Sequence, residues 1–168
     1  ITPYTFTYYE NDIKENDLVL VVTQSGLSTN AIEALKIIKK KQCRAICLTG
    51  NKNSDVKDVA DVVIEYGVGE ELVGYVTKGV SSLALFLDLF AIAYSGKTEY
   101  LEELKKAVHL NEKMIGKATS FIQLHYKEFS SMSWVYSCGA GANYGTALES
   151  ALKMGETIHI PSCCYEIE

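Results

Sequence analysis

The sequence predicts an α/β protein with parallel sheets flanked by helices, and three observations predict it. Short apolar, β-branched runs alternate with helically spaced apolar residues through the first half of the chain. Two long helical stretches with no strand signal between them occupy the middle. A strand, a glycine loop and a helix then follow one another again near the end, in "CGAGANYGTALESALKMGE". Strands and helices in this alternation argue for crossover connections and a sheet covered on both faces. The organisation expected is two α/β units, residues 1–96 and 131–168, joined by a helical connector over 97–130.

Residues 1–11, rich in Thr and Tyr and without a basic residue, read as an irregular lead-in. Residues 18–22, "LVLVV", have the composition of a fully buried strand. Ala31, Ile32, Leu35 and Ile38 then recur with helical spacing, and Ser28 or Asn30 can cap that helix. Residues 45–48 read as the next strand, 50–53 as a turn, 55–60 as a short helix and 62–66 as a third strand. A glycine-punctuated acidic loop, 67–74, leads to a long apolar helix over 76–94. A second, more charged helix covers 98–127. Strands are expected at 134–137 and 157–160, on either side of the last helix. The first sheet lacks an opening strand–loop–helix and the second stops after one strand–helix–strand, so both look incomplete.

Composition excludes several classes of function. The net charge is −5 and no basic stripe is present, which disfavours nucleic acid. The lysines at 39–41 suit the C-terminal end of a helix. Five cysteines without a Cys-x-x-Cys pair read as reduced thiols of a cytoplasmic protein. His109, His125 and His159 have no ligand spacing to a cysteine pair, so no metal is expected. The longest apolar stretch, 80–94, is short for a bilayer and is interrupted by Ser81, Ser82 and Asp88, so no membrane span is expected. The 80–94 helix reads as a core helix, with a subunit interface as the alternative. Nothing at the N-terminus resembles a signal peptide.

Two groups of residues could carry chemistry. Thr23, Gln24, Ser25 and Gly26 form a turn at the carboxyl end of a predicted strand and lead into a helix N-terminus. Ligands of open parallel sheets lie beyond such strand ends, and free N–H groups with the helix dipole favour an anion there. Thr23, Ser25, Ser28 and Thr29 add hydroxyls and Gln24 adds an amide. A well-capped helix and an anion site both account for this cluster. The second group is Glu149, Lys153 and Glu156, whose spacing of i, i+4, i+7 sets them on one helical face. A solvated Glu–Lys pair explains it, and so does a partly desolvated proton-transfer site among Ala147, Leu148, Ala151, Leu152 and Met154. Gly139-x-Gly141 lacks the third glycine of a dinucleotide fingerprint, where Tyr144 stands, so no nicotinamide cofactor is expected. His159 sits between Ile158 and Ile160 of a predicted strand, and Trp134 reads as core.

Three segments together resemble the SIS (sugar isomerase) domain family, in its tandem-domain branch that includes the isomerase half of glucosamine-6-phosphate synthase and the fructosamine-6-phosphate deglycases. "TQSGLS" looks like the family's phosphate loop. "GEELVGYVTKGV", 69–80, is similar to the segment that closes a first SIS unit. "GAGANYGTALESALKMGETIHI", 139–160, is similar to the opening of a second unit and is the most specific of the three. The resemblance covers most of the chain, from about residue 17 to 168.

The resemblance implies that Thr23, Gln24, Ser25 and Ser28 hold a sugar phosphate. It implies that Glu156 moves a proton between C1 and C2, with Glu149 and Lys153 as the other site residues of that helix. Thr77 and Lys78 match a Thr-Lys pair near the sugar. Three positions depart from the family pattern: Thr23 replaces a serine, Leu27 an acidic residue and Val76 a hydroxyl residue. The implied protein is a phosphosugar isomerase, deglycase or deaminase that works without a metal or nucleotide cofactor, as a homodimer or higher homo-oligomer. The chain resembles an interior piece of such a protein. A non-catalytic sugar-phosphate sensor using the same pocket is the alternative.

Overall fold

Thr2 caps the first helix, α1 (Pro3–Tyr8), by accepting a hydrogen bond from the Thr5 N–H, and Pro3 occupies the position where a missing N–H costs nothing. The expectation of an irregular lead-in is thereby corrected: a six-residue helix forms because it drives Phe6 into the core. The computed structural model describes residues 1–167. The chain divides into two compact units, Ile1–Lys97 and Thr98–Glu168, each taken by itself below.

In the first unit, strands β1 (Leu20–Thr23), β2 (Ile46–Thr49) and β3 (Val62–Glu65) form a parallel sheet in that order. The register places Val21, Cys47 and Val63 side by side and Leu20, Ile46 and Val62 one step away on the opposite face. Helix α2 (Thr29–Lys40) covers the first of these faces. Its Ala31, Ala34, Leu35 and Ile38 pack with Phe6, Val21, Cys47 and Val56. The opposite face carries Leu48, Tyr66 and Val68, against which Leu83 and Phe86 of α3 (Lys78–Ser95) pack. Apolar packing on both faces accounts for the lack of polar alternation. The fully buried strand expected at 18–22 is corrected: β1 begins at Leu20, and Leu18 and Val22 are exposed because the second face is only partly covered. The segment read as a short helix over 55–60 is a single 3-10 turn, Asp55–Asp58, which tucks Val56 into the core.

Helix α3 differs from its expected role. Leu83 and Phe86 pack on the sheet, but Gly79 is the buried residue of this helix, and Leu85, Leu89, Phe90 and Tyr94 are exposed. It is also longer than the 80–94 stretch, and by length and composition alone it is long and apolar enough to cross a membrane.

The second unit opens with α4 (Tyr100–Leu124), whose exposed surface carries the ion pairs Glu102–Lys105 and Glu103–Lys106, each at 2.7 Å. A short α5 (Tyr126–Ser130) follows. Strands β4 (Val135–Gly139) and β5 (Ser162–Glu166) pair in parallel, and α6 (Ala142–Lys153) connects them. The strand expected at 157–160 is not there. The chain instead leaves α6 through a π-helical turn, Met154–Ile158, and His159 stops it in the left-handed region at φ 60°. Thr157 anchors this turn by donating to the Lys153 carbonyl at 2.6 Å. The β-branched "TIHI" run gives a strand signal, but the pairing partner of β4 begins only after Pro161. Trp134, expected in the core, is half exposed beside Tyr136 because it precedes β4 and only Val135 onward enters the ladder.

Candidate functional site

Parallel pairing brings the carboxyl ends of β1 and β2 together, and the turn Thr23–Gly26 leaves the sheet there. Its backbone is tied to the neighbouring strand end. The Gln24 carbonyl accepts from the Gly50 N–H at 2.9 Å and from the Thr49 hydroxyl at 3.2 Å. Gly26 adopts φ 69°, and a side chain there would run into the Ser54 hydroxyl, so the chain can turn at this spot only with glycine. Ser28 caps α2, its hydroxyl accepting from the Ala31 N–H at 3.5 Å, while the Ser25 hydroxyl accepts from the Leu27 N–H at 3.2 Å. Thr23 is buried at the end of β1, and Ser25 and Ser28 are exposed. Of the two caps expected for α2, Ser28 is the one that forms, and Asn30 lies within the helix. Among these hydroxyl residues Ser25 lines an open cleft of about 760 Å³ at this end of the sheet, with Gln24, Gly50, Asn51, Glu71 and Val76 among its other walls.

The Gln24 side chain is committed. Its Nε2 donates to Glu71 at 2.7 Å, and its Oε1 is a buried acceptor without a hydrogen-bond partner among the described residues. The Glu71 carboxylate also accepts from the N–H groups of Thr77 (2.8 Å), Lys78 (2.6 Å) and Gly79 (3.0 Å) at the start of α3. The Gln24 bond first, then these three N–H bonds against the cost of desolvation, hold the Glu71 carboxyl down at about 2. The structure thus brings three expected site residues, Gln24, Thr77 and Lys78, around a fourth group that sequence reasoning missed. The available signal is an acidic residue a few positions before a helix start, inside the glycine-punctuated loop 67–74. The Lys78 ammonium donates to the Glu70 carbonyl at 2.6 Å, and the Thr77 hydroxyl to the Tyr75 carbonyl at 3.2 Å.

In the second unit, Lys153 stands between two carboxylates, 3.5 Å from Glu149 and 2.7 Å from Glu156. The spacing places Glu149 and Lys153 on α6, and the π-helical turn carries Glu156. All three side chains are partly buried, at 34, 21 and 30% exposure, so this is not a fully solvated pair. The Glu156 hydrogen bond, followed by the charges of Glu156 and Glu149, raises the Lys153 ammonium above its usual range and keeps it protonated. Glu156 lines a shallow cleft with Gly155, Ile160 and Ser162. The arrangement can offer a carboxylate and a fixed positive charge within one hydrogen bond of each other. No cluster of His, Cys, Asp and Glu that could hold a metal is present among the described residues.

A family model described as the SIS domain matches residues 6–93, just over half of the chain. The chain belongs to the SIS domain family. The matched stretch of this SIS chain contains the Thr23–Ser28 loop, Glu71, Thr77 and Lys78, while Glu149, Lys153 and Glu156 lie after it. The SIS chain is 30% identical over 168 residues to a glutamine–fructose-6-phosphate aminotransferase (isomerizing) of Clostridium perfringens. It is 28% identical to the protein of the same name from Thermotoga maritima. It spans 28% of the length of either relative, and 95 and 96% of its own length is matched. Among solved structures, a candidate phosphosugar isomerase from Clostridium difficile 630 superposes with a TM-score of 0.89 at 28% identity, over 99% of this chain and 50% of that one. The C-terminal domain of glucosamine-fructose-6-phosphate aminotransferase from Francisella tularensis has the same fold, with a TM-score of 0.88 at 24% identity, over 98% of this chain and 49% of that one.

Proposed function

We propose that this SIS chain is the phosphosugar-binding part of an isomerase-type protein. Its substrate is a ketose or amino-sugar phosphate, and its reaction moves a proton between C1 and C2. One observation carries the reading: a turn rich in hydroxyls, at the carboxyl end of β1, feeds the N-terminus of α2 in a cleft of a chain that belongs to the SIS family. The names of its relatives support the sugar class, since these are isomerizing fructose-6-phosphate aminotransferases and a candidate phosphosugar isomerase.

In this reading Thr23, Ser25 and Ser28, with the backbone of Gln24, hold the phosphate, and Thr77 and Lys78 flank the sugar. Glu156 is the carboxylate that takes and returns the proton, through a cis-enediol or enolamine. Lys153 supplies a fixed positive charge where negative charge develops on oxygen, and Glu149 holds Lys153 from the other side. Positioned groups suffice for such a transfer, so the reading requires no cofactor. Deglycation or deamination of an amino-sugar phosphate is the alternative reaction in this reading. The two units are each an SIS-type unit in a cytoplasmic homo-oligomer.

The test is E156Q in the full-length protein, with fructose 6-phosphate and fructosamine 6-phosphate as substrates. Loss of turnover with binding retained is the expected result. Saturable binding without turnover by the wild type favours a sensor, and no binding of either sugar phosphate overturns the reading.

A further inference from the structure

Both oxygens of Glu71 are used twice. Oε1 accepts from the Thr77 and Lys78 N–H groups, and Oε2 from the Gly79 N–H and from Gln24 Nε2. The first N–H groups of a helix have no partner within the helix, and with the dipole they attract anions. Thr77, at the cap of α3, makes no side-chain cap bond, so Glu71 does that work from outside the helix. The same carboxylate fixes the orientation of the Gln24 amide, because a carboxylate only accepts and must face Nε2. Packing reinforces this. A side chain at Gly79 would overlap Gln24 Oε1, so the start of α3 is shaped to receive that amide.

The cleft at this end of the sheet therefore has two helix starts beside it, those of α2 and α3, and they differ in state. The α3 start is already occupied by an internal anion, whereas the α2 start is capped by the neutral Ser28 hydroxyl. We propose that Glu71 is a positioning residue. Its carboxylate closes the α3 N-terminus to external anions and pins the Gln24 amide, leaving the α2 loop as the part of this cleft where a phosphate docks. The last clause rests on the reading of the Thr23–Ser28 loop given above. Closing α3 and pinning Gln24 do not depend on it.

The experiment is chemical replacement of the missing carboxylate in the full protein. E71A is melted in sodium acetate and in sodium chloride of equal ionic strength, beside the wild type, and the affinity of each for fructose 6-phosphate is measured in both salts. The expected result is a lower Tm for E71A that acetate restores and chloride does not, with the wild-type Tm the same in both. The affinity of E71A falls roughly tenfold, as for loss of one buried charge-assisted contact, and acetate recovers it. A Tm that acetate moves equally in both proteins, or an E71A indistinguishable from the wild type, overturns the proposal. If E71A does not fold in chloride, recovery of folding in acetate alone supports it and recovery in neither overturns it. A wild type that fails to bind fructose 6-phosphate removes the reading of the α2 loop, while the acetate contrast still decides the role of Glu71.

Discussion

Gln24 and Glu71, 47 positions apart in the sequence, meet through a 2.7 Å hydrogen bond from the amide Nε2 to the carboxylate Oε2. This bond ties the turn after β1 to the loop before α3 and joins the two segments of the first unit that carry its expected site residues.

The pH dependence of this contact has a definite sign. The folded carboxyl lies at about 2 against an ordinary 4.5, so Glu71 contributes stability that is complete above pH 4.5 and lost as the pH falls towards 2. Thermal melts of wild type and E71Q across that window are expected to show a Tm advantage for the wild type near neutrality. The advantage shrinks below pH 4.5 and is lost as the pH falls through about 2. A constant difference between the two proteins would mean that the ionised carboxylate contributes nothing.

Gly79 packs against Gln24. G79A forces an atom into the space held by Gln24 Oε1 and is expected to cost about 1–3 kcal/mol, as overpacking does. In a Q24A background the same substitution should cost much less. Urea unfolding of the four proteins in the double-mutant cycle measures the coupling.

Ser28 and Ser25 separate capping from binding. S28A loses the cap of α2 and should destabilise by about 1 kcal/mol. S25A, at an exposed turn, should change stability by less than about 0.5 kcal/mol. If both hydroxyls hold a phosphate, isothermal titration with fructose 6-phosphate shows weaker binding for both variants despite their unequal stabilities.

Lys153 reports which carboxylate dominates its surroundings. Its raised folded value means that its contribution to stability is present below the ordinary 10.5 and is lost as the pH rises through the folded value. Because Glu156 lies at 2.7 Å and Glu149 at 3.5 Å, E156Q should lower the Lys153 titration further than E149Q. Nitrogen-detected NMR of the side-chain ammonium distinguishes the two.

Local pattern by itself determined the α/β class, the three strands of the first unit and the capped helix after β1. Their signals are short-range: β-branched runs, apolar periodicity in α2 and a serine placed to accept from the third residue along. The spacing of Glu149 and Lys153 was legible for the same reason, since a helix repeats at a fixed angle. Tertiary structure alone decided the remainder. Residues 1–11 carry a weak helix signal, and α1 forms because Phe6 has a core to enter. The "TIHI" run has strand composition, yet the extended partner of β4 begins at Ser162 and the chain before it is wound into a π-helical turn. Glu71 is the clearest case. A carboxylate in a glycine-punctuated loop has no local periodicity, and its role exists only once parallel pairing of β1 with β2 and packing of α3 on the sheet set Gln24 beside the α3 start. The stretch "TQSGLS", 23–28, thus specified a turn, a cap and a set of donors, while the fold decided that the glutamine amide among them faces Glu71.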